Sequence, residues 1–242
     1  MKRLLSVVVA AVALSASVIP SASAQDILRA FYSRMPVADW TGFYAGANGG
    51  YAWGKSGMSD PSGLLATGST DMNGAILGGQ VGGLLQSGYT VLGFEADLQG
   101  SWQKGSFVAP ATFQGAPYFQ NETNSIRWFG TGRARFGIAK DQLLLYGTGG
   151  LAFGEFRNDE VVTGALTGTN SFTAYRFGWA AGGGVEVMLA RNWTVRAEYL
   201  HVDLGAFDQK FNVTIAGTTT VSTLHYKVYS DIARVGVNYH FR

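Results

Sequence analysis

Only 14% of the 242 residues are charged, against roughly 25% in soluble domains, while aromatics reach 13% and Gly occupies 34 positions. There is no Cys, which excludes a disulfide framework, a thiolate metal site and a Cys nucleophile. The formal net charge is +2, without the basic excess of a nucleic-acid binder.

The chain begins with Lys2 and Arg3, followed by an apolar run from Leu4 to Ile19 and by Ala22-Ser23-Ala24. A charged start, a short apolar stretch and small residues before Gln25 make a secretory signal peptide over 1–24. A membrane anchor is the alternative, and the short, Ser-interrupted run argues against it. Setting 1–24 aside leaves 16 basic and 16 acidic residues, a formal net charge of zero. Residues 25–39 read as a periplasmic N-terminal segment and 40–242 as one barrel domain. No later stretch offers the ~18 consecutive apolar residues of a spanning helix, so a membrane would be crossed by strands, which must close into a barrel.

From Val91 to Gln99 every second residue changes character: Leu92, Phe94, Ala96 and Leu98 are apolar, Glu95, Asp97 and Gln99 polar. This period of two marks a strand with two unlike faces, and it recurs about eight times. In chain order it predicts strands over about 40–53, 73–85, 90–102, 124–138, 142–156, 173–189, 193–203 and 226–241. Short turns fall at Ser87-Gly88, Lys140-Asp141 and Arg191-Asn192, and long loops at about 55–71, 103–123, 157–171 and 205–224. Long connections on one end and short ones on the other predict an all-β, eight-stranded antiparallel transmembrane barrel, with short periplasmic turns and long extracellular loops. Periodicity alone leaves the facing open, since a soluble barrel would turn its apolar face inward. Trp53, Trp128, Tyr51, Trp193 and Tyr239 near strand ends, the one-sided loops and the aromatic last strand favour apolar faces toward lipid.

An eight-stranded barrel is wide enough only to be filled by side chains. The expected interior charges are Glu95, Asp97, Arg127, Arg133, Arg135, Glu186, Arg196, Glu198 and Arg234. Counting through the turns pairs Glu186 with Arg196, Glu95 with Arg133, Arg135 with Tyr146 and Glu198 with Arg234. Such a network either plugs the barrel or lines an ion path. Plugging is favoured, because removing one partner strands a buried charge at a cost of about 3–5 kcal/mol.

WTGFYAGANGGYAWG at 40–54, VLGFEADL at 91–98, LLLYGTGGLAFG at 143–154, WTVRAEYLHVDLG at 193–205 and RVGVNYHF at 234–241 together resemble the small outer-membrane β-barrel surface proteins, the porin-like or opacity-like immunogenic group. The resemblance spans the mature chain. It implies an eight-stranded barrel in the outer membrane with roles in envelope integrity, surface antigenicity and sometimes haem binding or slow solute passage. In that family the alternating last strand, usually ending in Phe, is read by the barrel-assembly machinery. Here Val235, Val237, Tyr239 and Phe241 carry that signal, with Arg242 after it. Outer-membrane lipid, the assembly machinery and periplasmic chaperones are the expected partners, with a host or small-molecule ligand possible at the extracellular loops. The family shares no catalytic residue.

GTGGLAFG at 147–154 lacks the helix that a dinucleotide loop needs. His201 and Asp203, with Ser230 or His225, are the candidates for a lipid-modifying triad, and His201 and His225 for haem ligation. Nothing in the spacing fixes a nucleophile against a base, so no catalytic, metal or cofactor residue is expected. The alternatives to a structural barrel with at most a narrow pore are a loop-based ligand binder and, less favoured, a lipid-active enzyme.

Overall fold

A computed structural model describes residues 39–215 and 217–241. The expected signal peptide and all but the last residue of the 25–39 segment lie outside them. Eight strands form the barrel: β1 (Gly42–Ser59), β2 (Gly68–Ser87), β3 (Thr90–Phe113), β4 (Ala116–Lys140), β5 (Leu143–Gly164), β6 (Leu166–Ala190), β7 (Trp193–Ile215) and β8 (Thr218–Phe241). Each pairs antiparallel with its sequence neighbours, and β1 closes the ring on β8 from Phe43↔Phe241 to Ser59↔His225.

The strand number and order match the sequence reading, but the long loops do not. Most of 103–123, 157–171 and 205–224 is strand, with tight hairpins at Gln114-Gly115 and Gly164-Ala165, and with β7 ending at Ile215 and β8 beginning at Thr218. Gln114 and Gly115 both have positive φ, 50° and 81°, as a two-residue hairpin turn of the twist-matching kind requires. Only 60–67, between β1 and β2, remains a connection of any length.

The barrel changes sign along its axis. In the lower part, Phe43, Leu92, Phe94, Phe136, Leu151 and Val235 stand on the outside and are exposed. This belt is bounded by Tyr89, Trp193, Tyr239 and Phe241 at one end and by Tyr51, Trp53, Trp102, Tyr175, Trp179 and Tyr199 at the other. The span from Phe43 to Trp53 agrees with the ~9–11 residues of a membrane-crossing strand. Above the outer aromatic rim the pattern inverts. Phe156, Phe211, Leu224 and Tyr226 now point inward and are at most 1% exposed. Lys104, Ser106, Ser171 and Thr173 point out. The upper part is thus an ordinary water-facing barrel with an apolar core, built on the same strands. Its Thr, Ser and Asn content imitates loop composition, although Thr sits well on the outer face of a strand.

Two plugs close the ends of the lumen. Trp40, expected as the first residue of β1, precedes it and folds into the periplasmic mouth. It is fully buried with Tyr44, Leu84, Leu144 and Met188, its ring 6.0 Å from that of His240. At the other end, 60–67 crosses the mouth as a lid. Ala66 N–H donates to Gln120 Oε1 on β4 (3.1 Å), Tyr118 Oη donates to the Leu64 carbonyl (3.3 Å), and Ser222 Oγ on β8 donates to Asp60 Oδ1 (2.8 Å). Leu65 hangs from this lid into the apolar core.

Candidate functional site

The most concentrated chemistry lies inside the membrane-spanning part. Alternation on β3, β4, β6, β7 and β8 delivers Glu95, Asp97, Arg133, Arg135, Glu186, Arg196, Glu198 and Arg234 to the lumen, with ionic side chains no more than 1% exposed. Inward glycines make the room: a Cβ on Gly184 would lie 2.7 Å from Tyr146 Oη, and one on Gly82 would collide with the Tyr44 hydroxyl. In this layer four guanidinium groups meet four carboxylates, so the buried charge balances.

Glu95 is the hub. Arg133 Nη2 approaches Glu95 Oε1 at 2.6 Å, Arg135 Nη1 approaches Oε2 at 3.4 Å, and Tyr44 Oη donates to Oε2 at 2.7 Å. Arg196 Nη1 on β7 also reaches Glu95 Oε2. In an eight-membered ring β3 and β7 face each other, so this contact spans the lumen at its diameter. Arg234 Nη2 on β8 bridges Glu198 (2.6 Å), Asp97 (3.0 Å) and Glu95 (3.5 Å). The Arg135 guanidinium lies 3.8 Å from the Tyr146 ring centroid, a cation–π contact.

The structure brings Glu95 to Arg133, Arg135 to Tyr146 and Glu198 to Arg234, the neighbours that counting through the turns proposes. Glu186 and Arg196 are cross-strand partners too, but their ion pairs lie elsewhere. Glu186 takes Arg135 (2.7 Å) and accepts from Thr194 Oγ1 (2.6 Å) and Asn238 Nδ2 (2.8 Å), while Arg196 goes to Glu95. Reading one hairpin at a time misses partners that reach across the ring. Arg127 is a correction. It sits in a β-bulge between Ile126 and Trp128, which breaks the alternation, and its side chain is 58% exposed, 4.0 Å from Glu155.

The weighed triad does not assemble. Ser230 faces the lumen and accepts from Gln103 Nε2 (2.7 Å), whereas His201 stands on the outer face against Asp231 (2.8 Å). Asp203 Oδ1 accepts from Gly205 N–H (2.7 Å). His225 pairs with Asp208, also outside. His225 and Asp231, the partner of His201, are six positions apart on β8, roughly 20 Å at ~3.3 Å per residue, too far for both imidazoles to hold one haem iron. Sequence reading missed Asp231, which accepts from Tyr199 Oη as well (2.7 Å). Alternation places it beside His201 and Tyr199 once the β7–β8 register is known.

Just above the charged layer, an interior cavity lined by Gln103, Ile126, Phe129, Val202, Leu204, Ser230 and Ile232 measures about 10 Å³, the lower limit for one water.

The family model described as outer membrane protein beta-barrel domain matches residues 8–241. The chain is 37% identical over 217 residues to the 31 kDa outer-membrane immunogenic protein of Brucella melitensis biotype 1, covering 84% of each. It is 31% identical over 175 residues to the 22 kDa outer membrane protein of Rhizobium leguminosarum bv. viciae, covering 72% of this chain and 68% of that one. Among solved structures it is similar to the outer membrane protease OmpT of Escherichia coli, with 10% identity and a TM-score of 0.48 over 87% of this chain and all of that one. With its eight-stranded closed barrel, lipid-facing apolar belt and relatives named for the outer membrane, the chain belongs to the outer-membrane β-barrel protein family and resides in the outer membrane.

Proposed function

We propose that the mature chain is a structural, surface-exposed barrel that supports the envelope and offers at most a narrow pore. The observation that carries this reading is the Arg196–Glu95 ion pair across the full width of the lumen, inside a balanced, water-excluded charge network. A conducting path through it would have to part buried ion pairs and leave their charges uncompensated in a dry interior. The reading assigns no catalytic role, supported by the separation of Ser230 from His201 and by relatives named as immunogenic proteins. It takes residues 1–24 as a cleaved signal peptide, and Val235, Val237, Tyr239 and Phe241 as the segment read by assembly machinery and chaperones. These four side chains face lipid on the last strand. A loop-based binder of haem or a host factor has less to support it, since three of its four loops are hairpin turns.

Planar-bilayer recording of the refolded protein tests the plug. Silence or small, rare conductance steps are expected, and stable large steps would overturn the proposal. N-terminal mass analysis of protein from outer membranes checks the expected start at Gln25.

A further inference from the structure

Above the membrane, two carboxyl groups face each other with no base between them. Glu122 on β4 and Glu160 on β5 are direct cross-strand partners pointing into the apolar core, 3% and 0% exposed. Among the described residues neither has an ion-pair partner. Like charges directly opposite on a sheet repel, and burial sharpens the penalty.

Three neighbouring amides donate toward the pair, while Nδ2 of Asn170, opposite Glu160 on β6, has no partner. Asn158 Nδ2 donates to Glu122 Oε1 (3.0 Å) and Asn124 Oδ1 (2.8 Å), Asn124 Nδ2 donates to Glu122 Oε1 (2.7 Å), and Gln120 Nε2 donates to Glu160 Oε1 (2.7 Å). These bonds fix the amide orientations and leave oxygens without partners: Glu160 Oε2 and Asn158 Oδ1. Independently, the Tyr226 hydroxyl enters the same core from β8. It is unpartnered, its residue is 1% exposed, and both carboxyls act on it electrostatically.

We propose that Glu122, Glu160, Asn158 and Tyr226 form a binding site for one hard divalent cation, best matched by Ca²⁺. The unpartnered oxygens of the set are Glu160 Oε2, Asn158 Oδ1 and the Tyr226 hydroxyl, and two carboxylates balance a charge of two. The absence of His and Cys from the set disfavours softer metals. Calcium accepts irregular oxygen cages, whereas Mg²⁺ holds on to waters for which apolar walls have little use. Only two carboxylates contribute, so the affinity expected is that of extracellular modules, with Kd on the order of 10⁻⁴–10⁻³ M. The β6–β7 ladder is interrupted between Thr167 and Trp179, and Asn170, the cross-strand partner of Glu160, is partly exposed there.

The test uses the mature chain refolded in micelles free of lipopolysaccharide. Calorimetry with CaCl₂, and unfolding midpoints with calcium against matched Mg²⁺ and Na⁺, read the site. One ion per chain, a calcium-specific rise in midpoint, and loss of both in Glu122→Gln/Glu160→Gln are expected. Tb³⁺ bound in place of calcium should luminesce through Tyr226, and Tyr226→Phe should weaken the emission. The terbium arm decides the matter if the double variant does not fold. Absence of calcium binding overturns the site. So does binding unchanged in the double variant, or terbium emission unchanged in Tyr226→Phe, either of which puts the ion on outer-face acids such as Asp203 or Asp208.

Discussion

The two parts of β4 (Ala116–Lys140) make opposite use of one alternation. Near the periplasm, Phe136 and Ile138 face out while Arg133 and Arg135 face in. Past the outer rim, Tyr118 and Ile126 face in, and Thr123 and Ser125 are more open. The Arg127 bulge lies between them, where the phase changes. A period of two therefore specifies a strand, and the medium outside decides which phase is buried. Lipid outside allows a charged lumen, provided the charges neutralise one another. Water outside returns the usual apolar core.

The largest effect that would break this comparison concerns the hub of the charged part. Glu95→Ala leaves Arg133, Arg135, Arg196 and Arg234 short of one shared carboxylate. The expected loss is about 3–5 kcal/mol or failure to fold, read as loss of heat-modifiable gel migration. In the apolar part Phe156→Ala should cost a similar ~3–5 kcal/mol through cavity formation. The two should differ in salt response during urea unfolding. The Glu95 variant exposes charge and should shift with ionic strength, and the Phe156 variant should not. Equal salt responses would mean that the two interiors are not electrostatically distinct.

Outward positions give a matched pair of smaller effects. Phe94→Arg places a cation against lipid near mid-belt and should cost ~2–4 kcal/mol. Val108→Arg, higher on the same strand, meets water and should stay within about 0.5 kcal/mol. Equal penalties would put the membrane boundary in the wrong place. A double-mutant cycle sharpens the lumen side: Glu186 and Arg135 should couple strongly, and Glu186 and Arg196 much less, since their ion pairs lie with other residues.

The lower barrel was largely legible in the sequence, because Leu92 to Leu98 and Val235 to Phe241 repeat an unbroken contrast of apolar and charged residues. The upper barrel was not. There many outward residues are Ser, Thr and Asn and several inward ones are polar, so the contrast fades although the strand continues. The Arg196–Glu95 pair was hidden for another reason. It joins strands that never neighbour each other, and only ring closure brings them face to face. The Glu122–Glu160 pair needed the β4–β5 register carried far past the point where composition suggests that the strands end.

The smallest expected effect isolates the lid from both interiors. Asp60 Oδ1 accepts from Ser62 N–H and from the Ser62 and Ser222 hydroxyls, and Oδ2 from Leu65 N–H (2.8 Å). Burial opposes its charge, but these hydrogen bonds outweigh burial and hold its pKa below the usual 3.8. A depressed carboxyl pKa contributes stability that is present above the unfolded value and lost as pH falls through the folded one. The lid should therefore stay shut from neutral pH down past 3.8 and loosen only in stronger acid. Asp60→Asn keeps one acceptor oxygen and loses the one serving Leu65 N–H, a local cost of about 1 kcal/mol. Amide exchange at Leu65 should accelerate roughly fivefold at neutral pH, with the global unfolding midpoint unchanged. If the midpoint falls along with lid protection, the lid and barrel form one cooperative unit, and the upper core depends on its cover as much as on its walls.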